Sequence, residues 1–585
     1  MSISGIRDKN MKKPVCFNDS YRLLLLLKLT ENLSGEKVRM KKTIYIYAVI
    51  LAGLILMLLC GCSGSLPQET EIPEIAAAEN DSTTFFGAEI LSTAEIDVLK
   101  SDRERVPAGD ERAVMYYNGS ELPCLSNRRV FYVTVPQPAG EGILPDDILS
   151  GPVGYRMVID KGMLPGNLIK MIENGSKLMI YLFGERDYFA AEVVLTYLPV
   201  ITISIDNGND LSNSLQKATF AVHDSASENE IKRYSESRAE VKIRGGSSAS
   251  LPKKSIRIDL KDENGENRDM SFLGMRKDDD WILTAMFSDE SKIRDMTGWQ
   301  LWREMNSEYP DVDGSCAPDA AYVEVILNGK YQGLYMFMEK FDAKTMELEL
   351  ENSDVLFKAT SWEVPDSAGL KKQKARSPAY MAMEKKWPDS RIKIEGTWDK
   401  IAEYIRVAYE TDGAGFTDGI AEIASIENQL DYWIFNNVTM AGDNTFKNAY
   451  YAVKNGLVYT LPWDLDISFG LNWSGDPATN YLYRDPGCIT RTYDFQAGRR
   501  LIKYYDGAAD YVKKRWAELK DEGIVTAEGI IENAEAYWTL IHSSGAISRE
   551  CQRWPSVSYS DDLTYFKNTI KQRIDWLDEY INELE

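Results

Sequence analysis

Histidine is nearly absent from this chain. Its 585 residues hold two, His223 and His542, which leaves no set for a histidine-rich zinc site or a zincin motif and little room for a Ser-His-Asp triad. Neither stands in a motif of known mechanics, so both read as surface or structural residues. Positive charge is short as well: 67 Lys/Arg against 90 Asp/Glu give a net charge of −23. A phosphate backbone needs a Lys/Arg surface to displace its counterions, which argues against a nucleic-acid partner and for a basic one. What catalysis there is falls to carboxylates. With 44% hydrophobic and 11% aromatic residues the chain has ample material for packed cores, and its length predicts more than one domain.

Targeting is the clearest signal. "MKKTIYIYAVILAGLILMLLCGCSGS" runs from Met40 through Lys41, Lys42 and an apolar stretch to Leu59-Cys60-Gly61-Cys62. It reads as a secretory signal with a bacterial lipobox; an uncleaved membrane anchor is the alternative. Cys62 is the expected lipidation site, because Gly61 precedes it while the bulky Leu59 precedes Cys60. The 39 residues ahead of Met40 read as an over-extended start, since "RLLLLLKLT" is too short to span a bilayer. Residues 1–61 carry ten Lys/Arg and four Asp/Glu, so cleavage before Cys62 takes the charge from −23 to −29. The expectation is an exported acidic lipoprotein, anchored on the extracytoplasmic face of a bacterial membrane. Cys124, Cys316, Cys488 and Cys551 then remain. Their wide spacing allows three pairings and specifies none, and free thiols fit equally well.

Residues 62–84 are polar, acidic and Pro-bearing, as a tether would be. Residues 85–200 hold strand-like runs, "VFYVTVPQ", "YRMVID", "KLMIYLFG" and "FAAEVVLTYLPV", broken by Gly, Pro and Asn, and predict a small β-sandwich-like domain with no visible chemistry. From residue 201 the character changes. "EVKIRGGSSASLPKKSIRIDL" predicts a β-hairpin around Gly245, Gly246, Ser247 and Ser248, with Lys253 and Lys254 at the start of its second strand. A lysine there either reaches a phosphate or guards an edge strand against aggregation. "SDESKIRDMTGWQLWREM" predicts a helix capped by Ser288, with Asp289 and Glu290 in its first turn. Asn328-Gly329 predicts a tight hairpin between "YVEVIL" and "YQGLYMFME". After residue 397 the pattern turns mainly helical, in "WDKIAEYIRVAYE", "IENQLDYWIFNNVTM" and "YVKKRWAELKDEG".

A strand-rich half followed by a helix-rich half with clustered carboxylates is the layout of a kinase. The stretches "KIRGGSSASLPKKSIRIDL", "DWILTAMFSDESKIRD", "EVILNGKYQGLYMFMEK" and "YTLPWDLDISFG" resemble the spore-coat protein CotH family of atypical secreted kinases. The resemblance spans residues 201–475, with 476–585 as the C-terminal helical part. It implies an α+β, atypical protein-kinase-like bilobal domain that transfers the γ-phosphoryl group of ATP, with Mg²⁺ or Mn²⁺, to Ser or Thr of a protein substrate, basic and Ser-rich by the charge argument.

Against that resemblance, Asp443 and Asn448 in "AGDNTFKN" have the spacing of a catalytic-loop Asp and its metal-binding Asn. Asp464 and Asp466 stand where an Asp-Phe-Gly metal ligand would, and either is the principal ligand; strand alternation would put both on one side. Lys254 matches the lysine that pairs with nucleotide phosphates, with Lys253 as second choice, and Glu290 or Glu304 as its acidic partner. Glu339 in "MFMEKFD" takes the place of a hinge residue lining the adenine pocket, or is an ordinary surface carboxylate. The chain has no His-Arg before Asp443 and no G-x-G-x-x-G loop. The turn Gly245–Ser248 is left to cradle the phosphates through its amides, or to be a plain hairpin turn. A second class stays open: a surface adhesin or binding lipoprotein with an inactive kinase-like fold.

Overall fold

The computed structural model describes residues 84–137, 149–227, 229, 232–306, 316–473 and 482–585. Cys62, the signal and the tether lie outside the described residues. Those described form a mixed α+β structure within one compact unit.

The N-terminal part is built on a seven-stranded mixed sheet. Strands β1 (Thr84–Phe85), β2 (Ala88–Leu91) and β3 (Glu104–Arg105) are its short members; β6 (Val130–Thr134), β8 (Arg156–Asp160), β9 (Lys177–Phe183) and β10 (Asp187–Thr196) are the long ones. The order is β1-β2-β8-β9-β10-β3, with β6 also on β10. Alternation sorts the faces. Met157, Ile159, Leu178, Ile180 and Leu182 point to one core, shared with a three-stranded sheet of β4 (Tyr116–Tyr117), β5 (Ser120–Glu121) and β7 (Leu149–Ser150). Val158 and Phe183 point the other way, onto Ile96 of helix α1 (Thr93–Ser101), whose start is a Ser92/Glu95 capping box. The layering is therefore sheet, sheet and helix: a helix covers one face of the large sheet, where the sequence pattern alone predicts only strands. Helix α2 (Leu168–Glu173) adds Ile172 to the larger core.

A seven-stranded closed barrel follows, in the order β11 (Val200–Ile205), β12 (Gln216–His223), β13 (Tyr234–Arg244), β14 (Ser255–Lys261), β15 (Asp280–Thr284), β17 (Lys330–Glu339), β16 (Ala320–Leu327). It closes through the parallel pairing of β11 with β16, Val200 opposite Glu324. Ile201, Phe220, Val241, Ile258, Trp281, Val323 and Phe337 fill it. Both expected hairpins form: Asn328 and Gly329 take positive φ of 49° and 66° between β16 and β17, and Arg244 pairs with Ser255 across the Gly245–Lys254 connection.

Helix α3 (Arg294–Met305) begins six residues after Ser288. The shift has a cause in Asp289, whose carboxylate accepts from the Ser291 and Arg294 amides at 2.9 and 2.8 Å and pairs with the Arg294 guanidinium, so residues 289–293 form a side-chain-held turn instead.

A five-stranded sheet and the remaining helices complete the chain. The sheet runs β19 (Ala379–Tyr380), β20 (Met383–Trp387), β18 (Val355–Ala359), β21 (Ala449–Lys454), β22 (Leu457–Pro462). Around it lie α4 (Ser367–Lys371), α5 (Asp399–Ile405), α6 (Gly413–Ile423), α7 (Ile426–Thr439), α8 (Gln496–Tyr504), α9 (Ala508–Asp521), α10 (Ala527–Ser543), α11 (Ala546–Arg553) and α12 (Thr564–Asn582), with a last hairpin of β23 (Leu471–Trp473) and β24 (Leu482–Arg484). Helix α7 is buried from Asn428 to Thr439. Its polar residues are spent on the neighbouring strand: Asn428 exchanges hydrogen bonds with Thr460, and Gln429 donates to Val458 O. Cys124, Cys316, Cys488 and Cys551 are free thiols.

Candidate active site

Three loops meet where α7 and β22 end. The first, residues 289–295, leads into α3. The second, residues 440–448, leaves α7 at Met440, which takes the left-handed conformation (φ 55°). The third, residues 463–470, follows β22.

Hydrogen bonds lock them together. Asp295 Oδ1 accepts from the Leu465 amide at 2.8 Å, and Arg294 Nε donates to Ser468 O at 3.1 Å. Asn444 Nδ2 donates to Asn448 O at 3.0 Å and Trp463 O at 2.9 Å, tying the second loop to the third. Tyr432 of α7 donates to Asn444 O at 2.8 Å. The expected side-by-side strand placement of Asp464 and Asp466 is not what forms: β22 ends at Pro462, and Asp464 turns the chain with φ 62°. Asn448 (φ 55°) and Phe469 (φ 47°) are left-handed too. Such backbone costs energy in a non-glycine residue and gathers at functional sites.

The carboxylates of this region act on one another. Burial, then the charges of Asp464, Asp295, Asp289 and Asp443, push the Asp466 carboxyl well above the carboxylate range. Burial and Asp464 raise Asp295 to about 7. Burial works against Asp289 as well, yet Arg294 and Ser291 hold it below the usual range. Asp443 pairs with Lys447 at 2.9 Å. Among the described residues, no donor reaches the side chains of Asp464 or Asp466.

Facing these acids are two cations with no hydrogen-bond or ion-pair partner among the described residues, Arg244 at the end of β13 and Lys358 in β18. Both lie over aromatic rings: Arg244 is 5.5 Å from the centre of Trp463, and the Lys358 ammonium is 5.1 Å from Trp463 and 5.5 Å from Tyr450. Phe341 stacks on Tyr450 at 4.5 Å and extends that wall. Burial lowers Lys358 to about 8 despite the pull of Asp464.

The other expected residues have other partners. Lys254 donates to Ala249 O at 2.8 Å, within the connection that contains Gly245 (φ 117°), Gly246 and Ser248. An added Cβ at Gly245 would stand 2.3 Å from Ser248 Oγ, so that turn needs glycine. Lys253 is buried against Glu550 of α11 at 2.7 Å. Glu290 pairs with Arg484 at 2.8 Å, and Glu304 accepts from Gln300 at 2.7 Å. Glu339 sits buried at the end of β17; its amide donates to Asp319 O at 3.0 Å and its carboxylate accepts from the Arg276 and Asp319 amides at 2.8 and 3.1 Å. A different acidic trio, Asp269, Asp278 and Asp279, brings its oxygens within 4.8 Å of one another, but Lys344 (2.7 Å) and Arg276 (2.8 Å) already neutralise Asp278. Two surface hollows, beside Glu532 and Tyr537 and beside Lys400 and Asp418, lie on other elements.

Asp289, Asp295, Arg244 and Lys358 are the site residues that motif spacing missed. Asp289 and Asp295 sit in "SDESKIRD" and Arg244 in "KIRGG", within the stretches that carry the family resemblance; Lys358 has no local signature.

A mixed α+β fold with a carboxylate cluster facing unpaired cations defines a charged site of acids and bases. The family model described as CotH kinase protein matches residues 241–582, from within β13 to the end of α12, and the chain belongs to that family. No curated protein matches the chain.

Proposed function

We propose that this protein is an exported, lipid-anchored atypical kinase that transfers the γ-phosphoryl group of ATP to Ser or Thr of a protein acceptor. The observation that carries this reading is acids and cations left without hydrogen-bond or ion-pair partners in one place among the described residues: Asp464 and Asp466 without donors, Arg244 and Lys358 without acceptors. A divalent cation with a polyphosphate answers both needs at once.

In this reading Asp464, Asp466 and Asn448 are the residues that would hold Mg²⁺ or Mn²⁺, and the ion supplies neutralisation of phosphate charge. Asp295 positions the third loop through the Leu465 amide, and Asp289 adds to the negative potential. Arg244 and Lys358 hold phosphate oxygens, the part first given to Lys254, which instead shapes the Gly245–Ser248 connection whose amides cover the anion. Asp443 accepts or orients the acceptor hydroxyl proton, with the Lys447 ammonium 2.9 Å away to orient its carboxylate. In this reading the barrel would take the nucleotide-covering part, with Glu339 bracing its end.

The test uses labelled ATP, Mg²⁺ and thermal shift on the full chain. Asp464→Ala with Asp466→Ala is expected to abolish Mg²⁺·ATP stabilisation and transfer together. Asp443→Asn is expected to keep the stabilisation while transfer falls roughly 10²–10⁴-fold, the usual loss for a positioned acid–base group. Stabilisation that persists in the double variant, or wild-type transfer by Asp443→Asn, would overturn the assignment.

A further inference from the structure

The acidity of the chain reverses locally. Residues 370–393, "LKKQKARSPAYMAMEKKWPDSRIK", hold eight Lys/Arg and two Asp/Glu in a chain of net −23. Lys371, Lys372, Lys374 and Arg376 are exposed, and among the described residues none has an ion pair or hydrogen-bond partner for its charged group. The acid nearest them on the same segment is spoken for: Asp366 accepts from the Gly369 amide at 2.6 Å and from Tyr380 at 2.8 Å. Glu384 pairs with Lys386, and Asp389 with Arg391.

This cationic stretch is part of the sheet that ends at the site. It leads into β19, the edge strand, whose outer side has no strand partner among the described residues. The β19–β20 turn then brings Met381 and Ala382 beside Thr360, which donates to Ala382 O at 2.8 and 3.1 Å. One residue earlier, Ala359 O accepts from the Asn448 amide at 3.2 Å. Met381 is 47% exposed and Trp362 53% exposed. Lys447, the partner of Asp443, lies 5.6 Å from the centre of the Trp362 ring. Unpaired cations, a free strand edge and two exposed apolar side chains thus form one surface that reaches Asp443.

We propose that this surface docks an acidic peptide segment bearing the acceptor Ser or Thr, with its acidic residues on Lys371, Lys372, Lys374 and Arg376 and its apolar flank on Met381 and Trp362. The acceptor role rests on the phosphotransfer reading; the docking does not. It reverses the basic substrate that net charge suggests, because a partner meets the local field and not the total.

The test measures fluorescence anisotropy of the full chain with a Ser-containing acidic dodecapeptide and its Lys/Arg counterpart, without ATP, across a salt series. The acidic peptide is expected to bind at least about tenfold tighter, and Lys371→Gln/Lys372→Gln/Lys374→Gln/Arg376→Gln to erase that preference with the melting temperature unchanged. With labelled ATP, the same variant should raise KM and keep kcat. Preferred binding of the basic peptide would overturn the proposal. So would anionic phosphatidylglycerol vesicles that bind in a Lys371–Arg376-dependent way while neither peptide is preferred, an outcome that makes the surface a membrane contact. Charge-dependent binding of the acidic peptide with no transfer would uphold docking and overturn only the kinase reading.

Discussion

At the scale of single residues, Asp464 holds its place at a cost in stability. Its φ of 62° is a conformation that glycine adopts without cost, and its charge helps drive Asp466 and Asp295 out of the ionised form. Asp464→Gly is therefore expected to stabilise the apo protein by about 0.5–1 kcal/mol and to remove the Mg²⁺·ATP-dependent rise in melting temperature. Denaturant unfolding with and without Mg²⁺·ATP checks both halves, and a loss of apo stability would show that the residue is structural. Spacing alone singles out Asp443, Asn448, Asp464 and Asp466, because a catalytic loop is local in sequence. Arg244 and Lys358 escape it. They lie 220 and 106 residues before Asp464 and meet it only because β13 and β18 end beside the same loop.

At the scale of elements, the barrel is fastened to the C-terminal helices along β17, beside an irregularity in its pairing. The register between β16 and β17 shifts at Val325/Ile326, opposite Gly333 (φ 103°). On its other side β17 pairs with β15 only as far as Met336, opposite Thr284, and the Leu334 amide and carbonyl beyond that pair are taken up by Glu550 and Lys253: Glu550 Oε2 accepts from Leu334 N at 2.8 Å, and Lys253 donates to Leu334 O and to Glu550. Next to it, Arg549 of α11 forms a second buried pair with Glu324 at 2.7 Å. A lysine two residues before a strand reads from sequence as an edge residue or a phosphate ligand, because its partner lies 297 residues on. A Cβ at Gly333 would stand 1.8 Å from Glu550 Oε2. Gly333→Ala is accordingly expected to cost about 3 kcal/mol or more by splitting the buried Lys253–Glu550 pair, as would Glu550→Ala. Combining Gly333→Ala with Glu550→Ala should cost clearly less than the two losses added, since both break the same contact. Additive losses in urea unfolding would refute the shared cause.

At the scale of the whole molecule, the four long strands of the N-terminal part were legible from alternation and the short ones were not, and their union with the barrel was not either, because it rests on contacts between distant residues. Thr134 of β6 donates to Leu198 O at 3.0 Å and its amide to Ser225 Oγ at 2.9 Å, and Tyr132 stacks on Tyr331 at 5.6 Å. His223 ends β12 at this junction, 3.1 Å from Thr202 Oγ1, with its ring centre 5.0 Å from that of Tyr234 and tilted to it by 55°. Burial lowers its pKa from 6.5 to about 4. The folded state thus keeps the imidazole neutral at a pH where the unfolded chain protonates it. Stability from this group is complete above pH 6.5 and drains as pH falls toward 4, by at most about 1.4 kcal/mol per pH unit. Asp224, whose carboxyl burial raises, works in the opposite sense once the carboxylate range is reached, and His542, also lowered by burial, works in the same sense. The difference between wild type and His223→Gln isolates the one group: their unfolding free energies should converge as pH falls from 7 to 5, the variant having the flatter profile. Parallel profiles would mean that His223 titrates alike in both states and that the junction does not exclude its charge.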